Sequence, residues 1–200
     1  MIVTPSTLFP SAFEQDVFLT VYVIWFVFTF VLERIIIWSG TWEKAKARSD
    51  RGSALLIMVS ILVATAVAFV FAGVGIGPLP DWTFYAGILM MLLGIVVREW
   101  AVLTLRRYFS FQVRVLVDHK VVDTGPYRAV RHPAYAGSIL TMVGLGIALH
   151  SWAAALVILA FCGVAYGYRI AVEEKTMLKE LGEDYARYMA KTKRLIPLIL

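Results

Sequence analysis

The 200-residue chain is 60% hydrophobic with a mean hydropathy of +0.76, which is too apolar for a soluble domain of this length. Its formal net charge of +5 would point to nucleic acid in a soluble protein. In so apolar a chain, membrane topology and anionic headgroups account for that charge, and no nucleic-acid partner is expected.

Residues 17–38 are the first stretch able to cross about 30 Å of hydrocarbon, interrupted only by Glu33 and Arg34 near its end. Residues 1–16 supply no basic n-region, so this span reads as an uncleaved anchor rather than a signal peptide. The second span, residues 54–77, carries no charge. Its closing Gly73-Val-Gly75-Ile-Gly77 follows no strand and reads as a helix end, not a nucleotide loop. The third span, residues 82–105, holds Arg98 and Glu99 in its last third. Residues 133–168 are again uncharged, but as one helix their 36 residues would extend about 54 Å. Splitting them at His150-Ser151 gives two short spans in a helical hairpin. The fold expected is therefore an all-α integral membrane domain over residues 1–200, with three spans in 1–105 and the loop, hairpin and tail in 106–200.

Sorting the 19 Lys and Arg residues tests five spans. None falls in residues 1–16, in 75–81 or at the His150-Ser151 turn; four lie in 40–52, six in 106–131 and seven in 169–200. The positive-inside rule then puts the N-terminus outside and the helical C-terminal tail in the cytoplasm. Cys162 is the single cysteine, so no intrachain disulfide can form, and His119, His132 and His150 do not make a metal site, because His150 belongs to the opposite face.

Two cytoplasmic segments concentrate polar residues, 108–132 and 169–200. Residues equidistant from the hairpin turn share a depth, so His132 lies level with Arg169, and Tyr127 with Glu174. Ionisable groups held at a membrane edge are candidate functional groups. Arg169 and Glu173 also admit a plainer reading, a snorkelling arginine with an i,i+4 partner, and Tyr127 and Tyr135 one as interfacial aromatics. Pro133 suits the first position of a helix, whose free N–H groups would accept an anion. The tail reads as a helix over 169–181 stopped by Gly182, then a second over 183–193, packed over the loop or along the interface.

Gly125-Pro-Tyr127-Arg-Ala-Val-Arg131-His-Pro-Ala-Tyr135-Ala-Gly137, with Arg169-Ile-Ala-Val-Glu173-Glu174 and Leu181-Gly-Glu-Asp-Tyr185-Ala-Arg-Tyr188, resembles the isoprenylcysteine carboxyl methyltransferase family and the broader phospholipid methyltransferase group. The resemblance covers about residues 109–197. It implies S-adenosylmethionine as cofactor, S-adenosylhomocysteine as product, and an amphiphilic or prenylated substrate entering from the lipid. Carried over by position, Gln112, His119, Lys120, Val121, Val122, Tyr127, His132, Pro133, Ala134, Tyr135 and Glu173 are implied cofactor contacts, and Arg169 the substrate-positioning residue. An ionised carboxylate can attack an activated methyl sulfonium in line without a general base, so catalysis by positioning and water exclusion is expected, and no metal. Amine or thiol methylation on the same scaffold, an NADPH-dependent membrane reductase and a non-catalytic membrane protein stay open, as does the oligomeric state.

Overall fold

The computed structural model describes residues 8–33, 35, 45–48 and 50–196. Arg34, residues 36–38 of the first predicted span, and residues 40–44 and 49 of the basic loop lie outside these.

Helix α1, Ala12–Val27, opens five residues ahead of the predicted span. The Ser11 hydroxyl accepts the Glu14 N–H at 3.2 Å and so draws the polar Glu14-Gln15-Asp16 turn, which hydropathy leaves out, into the helix. It runs on through a π-helical turn, Phe28–Leu32. Helix α2, Ser53–Gly73, is opened by Asp50, whose carboxylate accepts the Ser53 hydroxyl at 3.1 Å and the Ala54 N–H at 3.3 Å. It stops four residues short of the predicted end, because Gly75 and Gly77 take φ of +73° and +64° and turn the chain out of the helix. Helix α3 is Thr83–Leu105 and helix α4 is Pro133–Ala148, with proline in its first turn as expected.

The turn at His150-Ser151 joins α4 to the next helix, α5. Ser151 caps helix α5 by accepting the Ala154 N–H at 3.0 Å, and its hydroxyl donates to the Ile76 carbonyl at 2.6 Å. Tyr135 and Tyr166, equidistant from the turn, stack with ring centroids 5.1 Å apart. The predicted division after residue 168 is absent: α5 is one 30-residue helix, Trp152–Leu181. No Gly or Pro interrupts residues 168–181, and Arg169 finds partners inside the protein, so nothing ends the helix before Gly182, at φ +58°. Helix α6, Glu183–Lys191, ends two residues earlier than predicted, and the chain beyond it turns back as Lys193 and Arg194 carbonyls accept the Arg131 and His132 N–H groups.

A two-stranded antiparallel ribbon was not legible in the sequence. Strand β1, Ala45–Arg48, pairs with β2, Arg114–Leu116, tying the loop after the first span to the 106–132 loop.

Among the described residues four helices are long and apolar enough to cross a membrane, Ala12–Val31, Ser53–Gly73, Thr83–Tyr108 and Trp152–Leu181; the apolar Pro133–Ala148 is shorter. Helices α3 and α4 meet through glycine. A Cβ built on Gly144 would lie 2.8 Å from the Gly87 carbonyl oxygen, and one on Gly137 2.7 Å from the Arg98 nitrogen, so the backbones touch as small-residue membrane packing allows. Arg98 meets both carboxylate oxygens of the fully buried Glu33, at 2.6 and 2.7 Å, and donates to Ser138 at 2.5 Å. This forked pair joins the end of the first span to α3 and α4.

Candidate active site

At the polar end of the hairpin, two adjoining cavities open under the 106–132 loop and α6. Gln112, Ala134, Tyr135 and Arg169 line the first. His119, Lys120, Val121 and Val122 line the second, with Tyr185 and Tyr188 of α6. Tyr127, His132 and Glu173 line both. The structure thus gathers every implied site residue except Pro133, which lines neither cavity and starts the helix that carries Ala134 and Tyr135.

The wall between hairpin and cavity is a hydrogen-bonded chain. Tyr135 hydroxyl donates to Glu173 Oε2 at 2.6 Å and accepts from Arg169 Nε at 3.0 Å. Arg169 Nη1 donates to Asp50 Oδ1 at 2.6 Å and to the Ser53 hydroxyl at 2.8 Å, and Nη2 lies 3.4 Å from the Ser110 carbonyl. With only 3% of its surface exposed, Arg169 is held inside the protein rather than snorkelling. Its i,i+4 partner Glu173 stands 3.8 Å off, and the Tyr135 hydroxyl bridges the two. Tyr135 likewise belongs to this wall, and Tyr127 is buried in a cluster with Ala101, Val102, Phe109 and Ala134.

Glu174, one residue on, faces a different set. It accepts from Arg131 Nε at 2.8 Å and lies 3.3 Å from His132 Nε2 and 3.2 Å from Arg194 Nη2. Arg131 also donates to the Met189 carbonyl at 3.0 Å and to that of Thr192, and the Tyr188 hydroxyl donates to the Tyr127 carbonyl at 2.8 Å. These contacts strap the tail across the loop. They also correct one expectation. The His132 N–H is taken by the Arg194 carbonyl, and the Tyr135 and Ala136 N–H groups by the His132 carbonyl, so the start of α4 does not present a set of free amides for an anion.

Burial raises the Tyr127 phenol well above its ordinary value, with Glu173 next to it adding to the shift, so it stays a neutral hydroxyl. Burial likewise lowers His119, leaving it a neutral imidazole at pH 7. Asp50 is also disfavoured by burial, but the Ala54 N–H, the Ser53 hydroxyl and Arg169 outweigh this and hold its carboxyl below the ordinary value.

Sequence reasoning missed Asp50, Ser53, Arg131 and Arg98 and used Glu174 only as a depth marker. Asp50 and Ser53 left a signal, an acidic residue and a serine just before an apolar run, which marks a helix start. Arg98 and Glu33 were visible as charges inside spans.

These features define the class: an all-α integral membrane protein whose ligand cavities lie where a helical hairpin meets a polar loop and tail. Residues 87–179 match the isoprenylcysteine carboxyl methyltransferase (ICMT) family, which bears out the resemblance carried by the motifs. Among curated relatives, the chain is 30% identical over 117 residues to a probable protein-S-isoprenylcysteine O-methyltransferase of Oryza sativa subsp. indica, covering 58% of this chain and 61% of that one. It is 27% identical over 120 residues to protein-S-isoprenylcysteine O-methyltransferase B of Arabidopsis thaliana, covering 59% and 61%. A solved structure of the eukaryotic intramembrane Ras methyltransferase ICMT superposes with a TM-score of 0.57 at 26% identity, over 74% of this chain and 51% of that one. The chain thus spans about three-fifths of the length of these curated relatives.

Proposed function

We propose that this protein transfers a methyl group from S-adenosylmethionine to the carboxylate of an isoprenylcysteine-type substrate. The carrying observation is the convergence of Tyr127, His132, Tyr135, Glu173 and Arg169, from the matched 87–179 segment, on two joined cavities. The cofactor fits these residues. Glu173, at the junction of the cavities, suits a cationic ligand rather than a pyrophosphate, and Tyr127 and Tyr108 offer aromatic faces beside it.

When bound, the cofactor supplies an activated methyl sulfonium. Glu173 and the 119–122 segment hold it, with Gln112, His132, Ala134 and Tyr135 lining its seat and Pro133 fixing the helix that carries the last two. Tyr135 fixes the Glu173 carboxylate and keeps Arg169 at a set distance from it. Arg169 orients the acceptor carboxylate from the adjoining cavity, and the α6 strap excludes water. The reading places five spans in the membrane, α4 being the short fourth. The N-terminus is outside, the site and tail cytoplasmic, and the substrate arrives from the lipid.

Titration calorimetry of the detergent-purified protein with S-adenosylhomocysteine and, separately, NADPH tests the class. Saturable binding of the first alone supports a methyltransferase; binding of NADPH alone overturns it in favour of a reductase. Turnover of a prenylcysteine carboxylate against a phospholipid amine and a small thiol then assigns the acceptor.

A further inference from the structure

Arg169 is anchored from the first half of the chain, by residues that precede the segment 87–179 matched to the family. Asp50 and Ser53 lie at the start of α2, and neither lines the cavity that Arg169 lines. They hold the guanidinium from behind. Asp50 Oδ1 takes Nη1 at 2.6 Å, the Ser53 hydroxyl takes it at 2.8 Å, and Ser53 in turn donates to Asp50 Oδ1 at 3.1 Å. Asp50 Oδ2 accepts the Ala54 N–H at 3.3 Å, so the carboxylate is itself fixed by the helix start.

With Nε committed to Tyr135 and Nη1 to Asp50 and Ser53, two of the three guanidinium nitrogens are tied. Nη2 is left with one long contact, 3.4 Å to the Ser110 carbonyl, on the cavity side. A planar guanidinium fixed at Nε and Nη1 has no rotational freedom left, so the direction in which Nη2 points is decided by Asp50 and Tyr135 together.

We propose that Asp50, supported by Ser53, is a positioning residue for methyl transfer: it sets the plane of Arg169 so that Nη2 faces the acceptor. It also balances the arginine charge, which lets a buried cation remain in place before any acceptor arrives. The proposal rests on the reading of Arg169 as the acceptor-orienting residue. One consequence is that the N-terminal half of the chain completes the site.

The test is a double-mutant cycle on the full-length protein in detergent, reading turnover of a prenylcysteine acceptor and the Kd of S-adenosylhomocysteine. Asp50→Asn keeps the shape and removes the charge. It is expected to cut kcat/KM by about 10-fold or more, the usual effect of losing a charge-assisted hydrogen bond, with the Kd changed less than twofold. In an Arg169→Lys background the same substitution should add little. Asp50→Glu should recover part of the loss in the wild-type background only, which a merely structural role for Asp50 would not produce. Equal, additive losses in both backgrounds, or a Kd that rises in step with the loss of turnover, would overturn the proposal. If Asp50→Asn does not fold, Ser53→Ala carries the cycle, with a smaller loss expected and the same non-additivity required. Full activity of Arg169→Lys alone would instead refute the role of Arg169, an outcome separate from any failure of Asp50.

Discussion

Tyr135 donates a 2.6 Å hydrogen bond to Glu173 across the hairpin, and the same hydroxyl accepts from Arg169 Nε at 3.0 Å. One phenol therefore sits between the Glu173 carboxylate and the Arg169 cation, which are 3.8 Å apart, the residues proposed to face cofactor and acceptor. Tyr135→Phe removes the bridge and keeps the ring. S-adenosylhomocysteine affinity and kcat/KM should each fall about 10-fold, on the scale of a hydrogen bond to a charged group, with the thermal midpoint little changed. Unaltered turnover, measured with radiolabelled methyl donor, would mean that the hydroxyl only fills space.

Adjacent glutamates should behave oppositely. Glu173→Gln should weaken S-adenosylhomocysteine binding in calorimetry while the protein melts normally. Glu174→Gln should leave Glu173, Tyr127 and Tyr135 in place but uncouple Arg131, His132 and Arg194 from Glu174. Removing one partner of a buried ion pair costs about 3–5 kcal/mol, so a clear drop in thermal midpoint is expected. Precipitation of Glu173→Gln with unchanged affinity would reverse the assignment.

A carboxylate acceptor is fully ionised above pH ~6, so its methylation should be nearly flat from pH 7 to 9, whereas an amine or thiol should speed up as it deprotonates. Two of the site's own groups, His119 and Tyr127, titrate outside this window. Burial lowers His119 below its ordinary value, so its protonation lies on the acid side of pH 7, and raises Tyr127 so that its ionisation lies beyond pH 9. A tenfold rise per pH unit, with chemistry rate-limiting, would move the assignment to an amine or thiol.

Topology can be read by cysteine labelling in a Cys162→Ala background. Ser151 marks the predicted outer turn but is 1% exposed, so an exposed neighbour is the better probe. Ile76→Cys should react with an impermeant reagent from outside, and Lys179→Cys, on the tail side, only after permeabilisation. Both labelling from the same side would rule out the five-span arrangement.

Hydropathy alone located the membrane helices, because crossing a bilayer demands long apolar runs whatever they pack against. The polar turn at His150-Ser151 likewise determined the hairpin register, which brought Tyr135 opposite Tyr166 and the 127–135 motif opposite 169–174. Helix ends were less legible, since side chains such as Ser11 and Asp50 set them through one or two hydrogen bonds that hydropathy does not weigh. What only the tertiary structure decided is which neighbour each charge chose. Glu173 and Glu174 are chemically identical and adjacent, yet a turn of about 100° about the helix axis sends one to Tyr135 and the other to Arg131. Asp50 reaches Arg169 across 119 positions of sequence, and Glu33 reaches Arg98 across 65, pairings that exist only once α1, α2, α3 and α5 have packed side by side.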